Sequence, residues 1–102
     1  MQNWYPEEWE FTLRVLQVGA HNDPRACRNG HQPGDTYVCR YGCPEGFCSK
    51  SLCKAFPLME AVRSGGDLRN LGGDAPQAMT FVCPDGVVRL RLEARRANPD
   101  EA

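Results

Sequence analysis

The sequence predicts an α+β domain in which a small antiparallel sheet of about four strands carries one main helix after the second strand. Three observations favour this fold: two stretches alternate apolar and polar residues, a β-prone tetrapeptide recurs with one residue changed, and helical spacing appears between the two copies. A chain of 102 residues that is 41% hydrophobic has room for one modest core. We therefore expect residues 1–102 to form a single domain.

The first strand is predicted over residues 9–18. Apolar residues from Trp9 to Val15 alternate with polar ones, which is the period of a strand with one buried face. From Gly19 to Asp35 the chain is polar and interrupted by glycine and proline, so it is expected to form a long loop. Long loops in compact domains are often functional.

The repeated tetrapeptide predicts the second and third strands, at Thr36–Cys39 and Thr80–Cys83. The second copy continues through a Pro-Asp-Gly turn into an alternating stretch from Val87 to Ala94, which predicts a hairpin and a fourth strand. The polar residues 95–102 are expected to be a frayed tail.

A helix is predicted between the two copies. Pro57 suits the first turn of its main segment, and Gly65 suits its end. The apolar positions with helical spacing are Leu52, Ala55, Phe56, Met59 and Val62 or Arg63.

Charge and cysteine content restrict the expected partners. The 12 basic and 13 acidic residues are interspersed and sum to a formal charge of −1, so neither nucleic acid nor a membrane surface is an expected partner. The N-terminal residues resemble no export signal, and we expect a cytoplasmic protein. In that reducing compartment, six cysteines point to metal ligands, redox thiols or buried small residues rather than to structural disulfides.

The tetrapeptide Cys-Pro-acid-Gly occurs at residues 43–46 and again at residues 83–86. Proline, a short acid and glycine favour a tight turn, whose backbone N–H groups can face the sulfur of the first residue. The chain has no Cys-x2-Cys pair, so a metal site would have to draw ligands from separate loops. The candidate ligands are Cys27, Cys43, Cys48 and Cys83, with His31 as a possible substitute, and the candidate cofactors are zinc or an iron–sulfur cluster.

Other interpretations of the cysteines stay open at this stage. The thiols could be buried small residues, an interpretation that suits Cys39 and Cys53 best. Cys43 and Cys48 could form a reversible disulfide. Cys27 could also act as a nucleophile with His31 as its base and Asp35 as the orienting acid, although no oxyanion donor is identifiable.

Several of these pieces together resemble a family of small, uncharacterised cysteine-containing bacterial proteins that is common in anaerobes. The resemblance covers most of the chain, from Phe11 to Leu92, and implies a compact α+β fold without implying an activity. It implies the same four cysteines as a set and makes iron–sulfur chemistry more plausible. The matching pieces are Cys27-x2-Gly30-His31-x2-Gly34-Asp35, Cys43-Pro44-x-Gly46-x-Cys48, Phe56-Pro57, Gly65-Gly66 and Cys83-Pro84-Asp85.

The aromatic N-terminal arm, residues 1–8, and the adjacent Trp9 are a candidate docking surface. Trp4, Tyr5 and Trp9 could anchor a larger enzyme or a second copy of the chain, or could pack onto the sheet instead. The preferred hypothesis is a metal- or iron–sulfur-binding accessory or electron-transfer partner of a larger enzyme. The alternatives are a metal-free oligomeric binding module with structural cysteines, and a cysteine-dependent enzyme that uses Cys27 or Cys43.

Overall fold

A computed structural model describes residues 7–97 and confirms the α+β class. One antiparallel sheet has the strand order β2-β1-β4-β3, and a single long helix follows the second strand. The elements are β1 (Trp9–Val18), β2 (Thr36–Cys39), α1 (Ser49–Arg63), β3 (Ala78–Val82) and β4 (Val88–Arg96), with short 3-10 turns at Pro24–Ala26 and Leu68–Leu71. Within residues 7–97, no helix combines the length and the apolar character needed to cross a membrane.

The core lies between the sheet and α1. The central strands β1 and β4 pair in a register that sets Leu13 opposite Leu92, and both side chains are fully buried. Alternate residues of a strand point to the same face, so the apolar positions of β1 and β4 share one side of the sheet. The helix residues Ala55, Met59 and Val62 belong to the same buried cluster.

Helix α1 begins earlier than the position of Pro57 suggested. Pro57 is an interior residue, and its placement in the first turn is wrong. Proline lacks the N–H that would bond to the carbonyl of Cys53. Both residues lie on the exposed side of α1, where water can satisfy that carbonyl.

The predicted end of α1 is confirmed. Gly65 has a φ of 84°, its N–H donates to the carbonyl of Val62, and the N–H of Gly66 donates to the carbonyl of Ala61. This pair of bonds is a Schellman motif, which satisfies the last carbonyls of a helix.

The bounds of two strands differ from the prediction. Strand β3 covers Ala78–Val82, so Cys83 follows the strand rather than ending it. Strand β4 continues to Arg96, which pairs with Trp9 at the far end of β1. Arg95 and Arg96 therefore belong to the sheet and not to a frayed tail, because β1 is long enough to supply partners for both. Residues 98–102 lie outside the described residues.

Candidate functional site

Three cysteines from separate parts of the chain line one cavity of about 290 Å³. Cys27 follows the 3-10 turn Pro24–Ala26, Cys48 immediately precedes α1, and Cys83 lies at the start of the turn between β3 and β4. The structure thus brings together three of the four cysteines predicted as ligands. The polar side chains that line the same cavity are Arg28, Asn29, Ser49, Lys50, Ser51 and Asp85.

Cys83 is held by the turn that its own motif forms. The N–H of Gly86 donates to the carbonyl of Cys83 at 2.8 Å, and Gly86 adopts the left-handed φ of 76° that favours glycine. The N–H of Val88 donates to Cys83 Sγ at 3.3 Å. The sulfur is therefore buried and already accepts one backbone hydrogen bond.

Cys48 occupies the N-cap position of α1. Its backbone is extended, and its side chain makes no capping hydrogen bond. Within the described part of the chain, the N–H groups of Ser49, Lys50 and Ser51 have no acceptor, as expected for the first turn of a helix. Because all three residues line the cavity, its wall includes the positive end of a helix dipole.

Ser51 is the third residue of α1 and is 1% exposed. Its Oγ is buried and has no hydrogen-bond partner among residues 7–97. A buried hydroxyl without a partner costs free energy, and such groups are uncommon in folded proteins. This unused polar group therefore lies in the same wall of the cavity as the free amides.

His31 lies beneath the Cys48 segment and is only 1% exposed. Its Nε2 is 3.3 Å from the Cys48 backbone nitrogen, whose N–H donates to it, and 3.2 Å from Asn29 Nδ2. Its Nδ1 is 3.1 Å from the Tyr37 hydroxyl. Burial lowers the pKa of His31, and the nearby Asp35 only partly offsets this. Because Nε2 accepts the Cys48 N–H, a neutral His31 ring carries its proton on Nδ1.

The suggested nucleophile, base and acid arrangement is not assembled. His31 Nδ1 lies 3.8 Å from Asp35, but Nε2 accepts the Cys48 amide, and His31 makes no hydrogen bond to Cys27 within residues 7–97. In this arrangement His31 positions the Cys48 backbone. As a substitute metal ligand, His31 would need a free ring nitrogen. Its Nε2 is occupied by the Cys48 amide and its Nδ1 by the Tyr37 hydroxyl.

Cys43, the fourth predicted ligand, lies outside the cavity. It is exposed, and its Sγ is 3.6 Å from the carbonyl oxygen of Pro44. The two Cys-Pro-acid-Gly motifs close differently. At residues 83–86, the N–H of Gly86 donates to the carbonyl of Cys83. At residues 43–46, the closing bond lies one residue later, from the N–H of Phe47 to the carbonyl of Pro44. All six cysteines are free thiols, so Cys43 and Cys48 do not form a disulfide in this structure.

Asp85 adds a carboxylate to the wall of the cavity, although the sequence analysis assigned this residue only to turn formation. Its Oδ1 accepts a hydrogen bond from Lys50 Nζ at 2.9 Å, which joins the β3–β4 turn to the first turn of α1. The Lys50 ammonium holds the pKa of Asp85 below its ordinary value, and Arg28 adds to this effect. The cue that could have identified Asp85 is its place two residues after Cys83 in the same turn.

The remaining two cysteines lie elsewhere. Cys39 is buried, its Sγ is 3.2 Å from the carbonyl oxygen of Gly42, and burial raises the pKa of its thiol. Cys39 therefore lies in the packed core. Cys53 is exposed on α1, so its interpretation as a buried small residue is wrong.

Trp9 packs in the core instead of forming an exposed anchor. It is 7% exposed, and the Arg96 guanidinium carbon lies 4.3 Å from the centre of its ring. Of the two alternatives considered for Trp9, packing onto the sheet is therefore the one that the structure adopts. Trp4 and Tyr5 lie outside the described residues.

Among residues 7–97, no group of three or more His, Cys, Asp or Glu side chains is arranged so that it could hold a metal ion. The three cavity thiols therefore share a space without converging on one point.

Comparison with known proteins found no matching family model, no matching curated protein and no matching solved structure.

Proposed function

We propose that Cys27, Cys48 and Cys83 bind an iron–sulfur cluster and that the protein serves a larger enzyme as an accessory or electron-transfer partner. The observation that carries this proposal is the meeting of three thiols, from three separate segments, at one cavity. Thiolate is the ligand that iron–sulfur clusters use most, and also a preferred ligand of zinc.

The room in the cavity favours a cluster over a single ion. Zinc–sulfur bonds are about 2.3 Å long, so a zinc ion needs its thiolates gathered closely around one point. The described side chains have no such arrangement. A cluster occupies more space than one ion, and the three thiols line a cavity of about 290 Å³.

The electrostatic surroundings also favour a cluster. A cluster with thiolate ligands carries negative charge, which the free amides at the start of α1 and the cations Lys50 and Arg28 would stabilise. The bond from the Val88 amide to Cys83 Sγ is the kind of N–H to sulfur contact that sets cluster potentials. These features lie in the wall that the three thiols share.

The proposed accessory role follows from the position of the cavity. Cys27 and Cys48 are half-buried, so a redox centre held there would lie near the surface, where a partner could exchange electrons with it. The described residues assemble no nucleophile with a base. This combination suits electron transfer or cluster delivery better than a self-contained reaction.

The test begins with protein purified without oxygen, whose iron, sulfide and zinc contents and visible spectrum are measured. We expect iron and sulfide with a broad charge-transfer absorption. Serine substitutions at Cys27, Cys48 and Cys83 should each lower the iron content severalfold. Cys53→Ser is the matched control, because Cys53 is exposed outside the cavity, and it should retain the wild-type iron content.

Three results would count against the proposal. Wild-type protein without iron, even after anaerobic reconstitution with iron and sulfide, would overturn the cluster. Stoichiometric zinc without iron would replace it by a mononuclear site. Equal iron content in the control and the three cavity variants would show that the cavity is not the binding site.

A further inference from the structure

We infer that the N-terminal end of α1 binds a phosphate group, carried by a small monoester or as the free ion. This inference goes beyond the proposed function, because its donors are amides, a hydroxyl and a guanidinium, and it needs no metal. The residues that supply these donors all line the cavity and are Arg28, Ser49, Lys50 and Ser51. We expect the chain to hold this ligand when no cluster is bound.

Three consecutive backbone amides provide donors for an oxyanion. The N–H groups of Ser49, Lys50 and Ser51 belong to the first turn of a helix of 15 residues and have no acceptor among the described residues. Amides of one helical turn point the same way along the helix axis, so one anion can accept hydrogen bonds from more than one of them. The preceding N–H, that of Cys48, already donates to His31 Nε2. The donor set therefore begins at Ser49.

The hydroxyl of Ser51 is a second, independent observation that points to a ligand. Among the described residues, its Oγ is the only buried side-chain nitrogen or oxygen without a hydrogen-bond partner. Ser51 is 1% exposed, so bulk water does not supply that partner. Because a serine hydroxyl moves by rotation about χ1 alone, Oγ can turn towards an anion held at the amide of its own residue. A phosphate oxygen there would remove the cost of the unsatisfied hydroxyl.

The charges of the cavity lining favour an anion. Arg28 and Lys50 are cationic and Asp85 is the only acidic side chain there, so the lining carries more positive than negative charge. Lys50 already offsets Asp85 through its bond of 2.9 Å. Arg28 is exposed and makes no ion pair among residues 7–97. A guanidinium binds phosphate through two parallel hydrogen bonds, so Arg28 is the cation expected to pair with the ligand.

The volume of the cavity indicates a small ligand. At about 290 Å³ it is close to the lower end of the range of roughly 300–1,000 Å³ that is typical of small-molecule sites. A phosphate ion fills only part of such a space, and Ala26, Val87 and Val88 add apolar lining. The ligand class that fits is therefore a phosphate monoester with a small body, of which inorganic phosphate is the minimal form.

Isothermal titration calorimetry on the intact, metal-free chain tests this inference. The probes are inorganic phosphate and glycerol phosphate, with acetate at the same ionic strength for comparison. Both phosphate compounds should bind, and acetate should bind severalfold more weakly. Tighter binding of the monoester would identify a phosphorylated small molecule as the ligand, and tighter binding of the inorganic ion would identify free phosphate; either result supports the site. In heteronuclear NMR spectra, phosphate should shift the amide signals of residues 49–51.

Ser51→Ala separates a ligand-binding role from a packing role. It should weaken phosphate binding by about tenfold or more, because a hydrogen bond to a charged oxygen is lost. Without phosphate, the same variant should melt at a higher temperature than wild type, because it removes an unsatisfied hydroxyl and alanine favours a helix. Ser64→Ala is the matched control and should keep the wild-type affinity. Ser64 is exposed at the C-cap of α1 and does not line the cavity.

Arg28→Gln tests the charged partner. It should lower the affinity for phosphate severalfold, because the guanidinium no longer pairs with the anion. Arg89→Gln removes the same charge from an exposed arginine that does not line the cavity, and it should bind phosphate as wild type does. Equal weakening in the two variants would show that net charge alone attracts the anion, and would overturn the site.

The remaining outcomes separate this inference from the proposed function. Absence of binding by both phosphate compounds at millimolar concentration would overturn the inference, as would wild-type affinity in Ser51→Ala or acetate binding as tight as that of phosphate. Iron content is measured separately, on protein reconstituted with iron and sulfide. Phosphate binding without iron uptake would support this inference and overturn the proposed function, and iron uptake without phosphate binding would do the reverse.

Discussion

The backbone N–H of Cys48 donates to His31 Nε2 at 3.3 Å, although 17 residues separate them in the chain. This bond anchors the start of α1 to the long loop that also carries Cys27. His31 is held in turn by the Tyr37 hydroxyl on β2. A single buried imidazole therefore connects the sheet, the loop and the helix that surround the cavity.

Replacing this imidazole should destabilise the fold. We expect His31→Ala to lower the free energy of unfolding by about 1–3 kcal/mol, because the Cys48 amide loses its acceptor in a buried setting. His21→Ala is the control, since His21 is exposed, and it should change stability by less than about 0.5 kcal/mol. Urea unfolding followed by circular dichroism measures both. Equal stability of the two variants would contradict the anchoring role of His31.

The thiols should differ in their reactivity with iodoacetamide. In metal-free protein, the exposed thiols should be alkylated before the buried ones, because the reagent must reach the sulfur. After reconstitution with iron and sulfide, the three cavity thiols should become protected from alkylation, whereas the exposed thiols should stay reactive. Mass spectrometry of the peptides gives the alkylation rate of each thiol. Protection of Cys43 by the cluster would contradict the assignment. The exposed thiols are Cys43 and Cys53, the buried ones are Cys39 and Cys83, and Cys27 and Cys48 are half-buried.

The glycine after the Schellman turn should resist substitution. A Cβ at Gly66 would lie 2.7 Å from the carbonyl oxygen of Ala61, which is backbone and cannot rotate away. We expect Gly66→Ala to cost about 1–3 kcal/mol of stability. Gly42→Ala is the matched control, because a Cβ there meets no atom within 4 Å. Thermal unfolding of the two variants side by side tests this, and equal melting temperatures would refute it.

Glu10 should contribute to acid sensitivity. Burial opposes its ionisation, but hydrogen bonds from Arg95 and Arg40 outweigh this and hold the pKa of Glu10 below its ordinary value of 4.5. The unfolded chain therefore takes up a proton at a higher pH than the native protein does, so this stabilisation is lost as the pH falls below about 4.5.

The pH dependence of Glu10→Gln provides the measurement. Its free energy of unfolding should fall less steeply than that of wild type below this pH, because the substituted side chain no longer binds a proton. Glu45→Gln serves as the control, since Glu45 makes no ion pair among residues 7–97, and it should follow the wild-type curve. Parallel curves for wild type and Glu10→Gln would show that the two guanidinium contacts do not favour the ionised carboxylate.

The sequence by itself determined the secondary structure that local chemistry controls. Alternation from Trp9 to Val15 predicts a first strand over residues 9–18, which are the observed bounds of β1, because one face of that strand must be buried. The motif at residues 83–86 predicts the β3–β4 hairpin, and Gly65 predicts the end of α1. These features depend on neighbours within a few residues, and such neighbours can be read directly from the chain. Pro57 misled the prediction of the helix start, because its cost depends on which side of α1 is exposed.

Only the tertiary structure decided which thiols meet. Residues 43–46 and 83–86 have nearly the same sequence, yet one turn holds Cys83 in the cavity and the other leaves Cys43 exposed. The difference comes from long-range packing: strands β3 and β4 hold one turn beside α1, whereas Phe47, packed against His31 and Tyr37, controls the other. The contact between Asp85 and Lys50 spans 35 residues, and no local pattern encodes it. Membership of the site is therefore a property of the packed fold rather than of the motif.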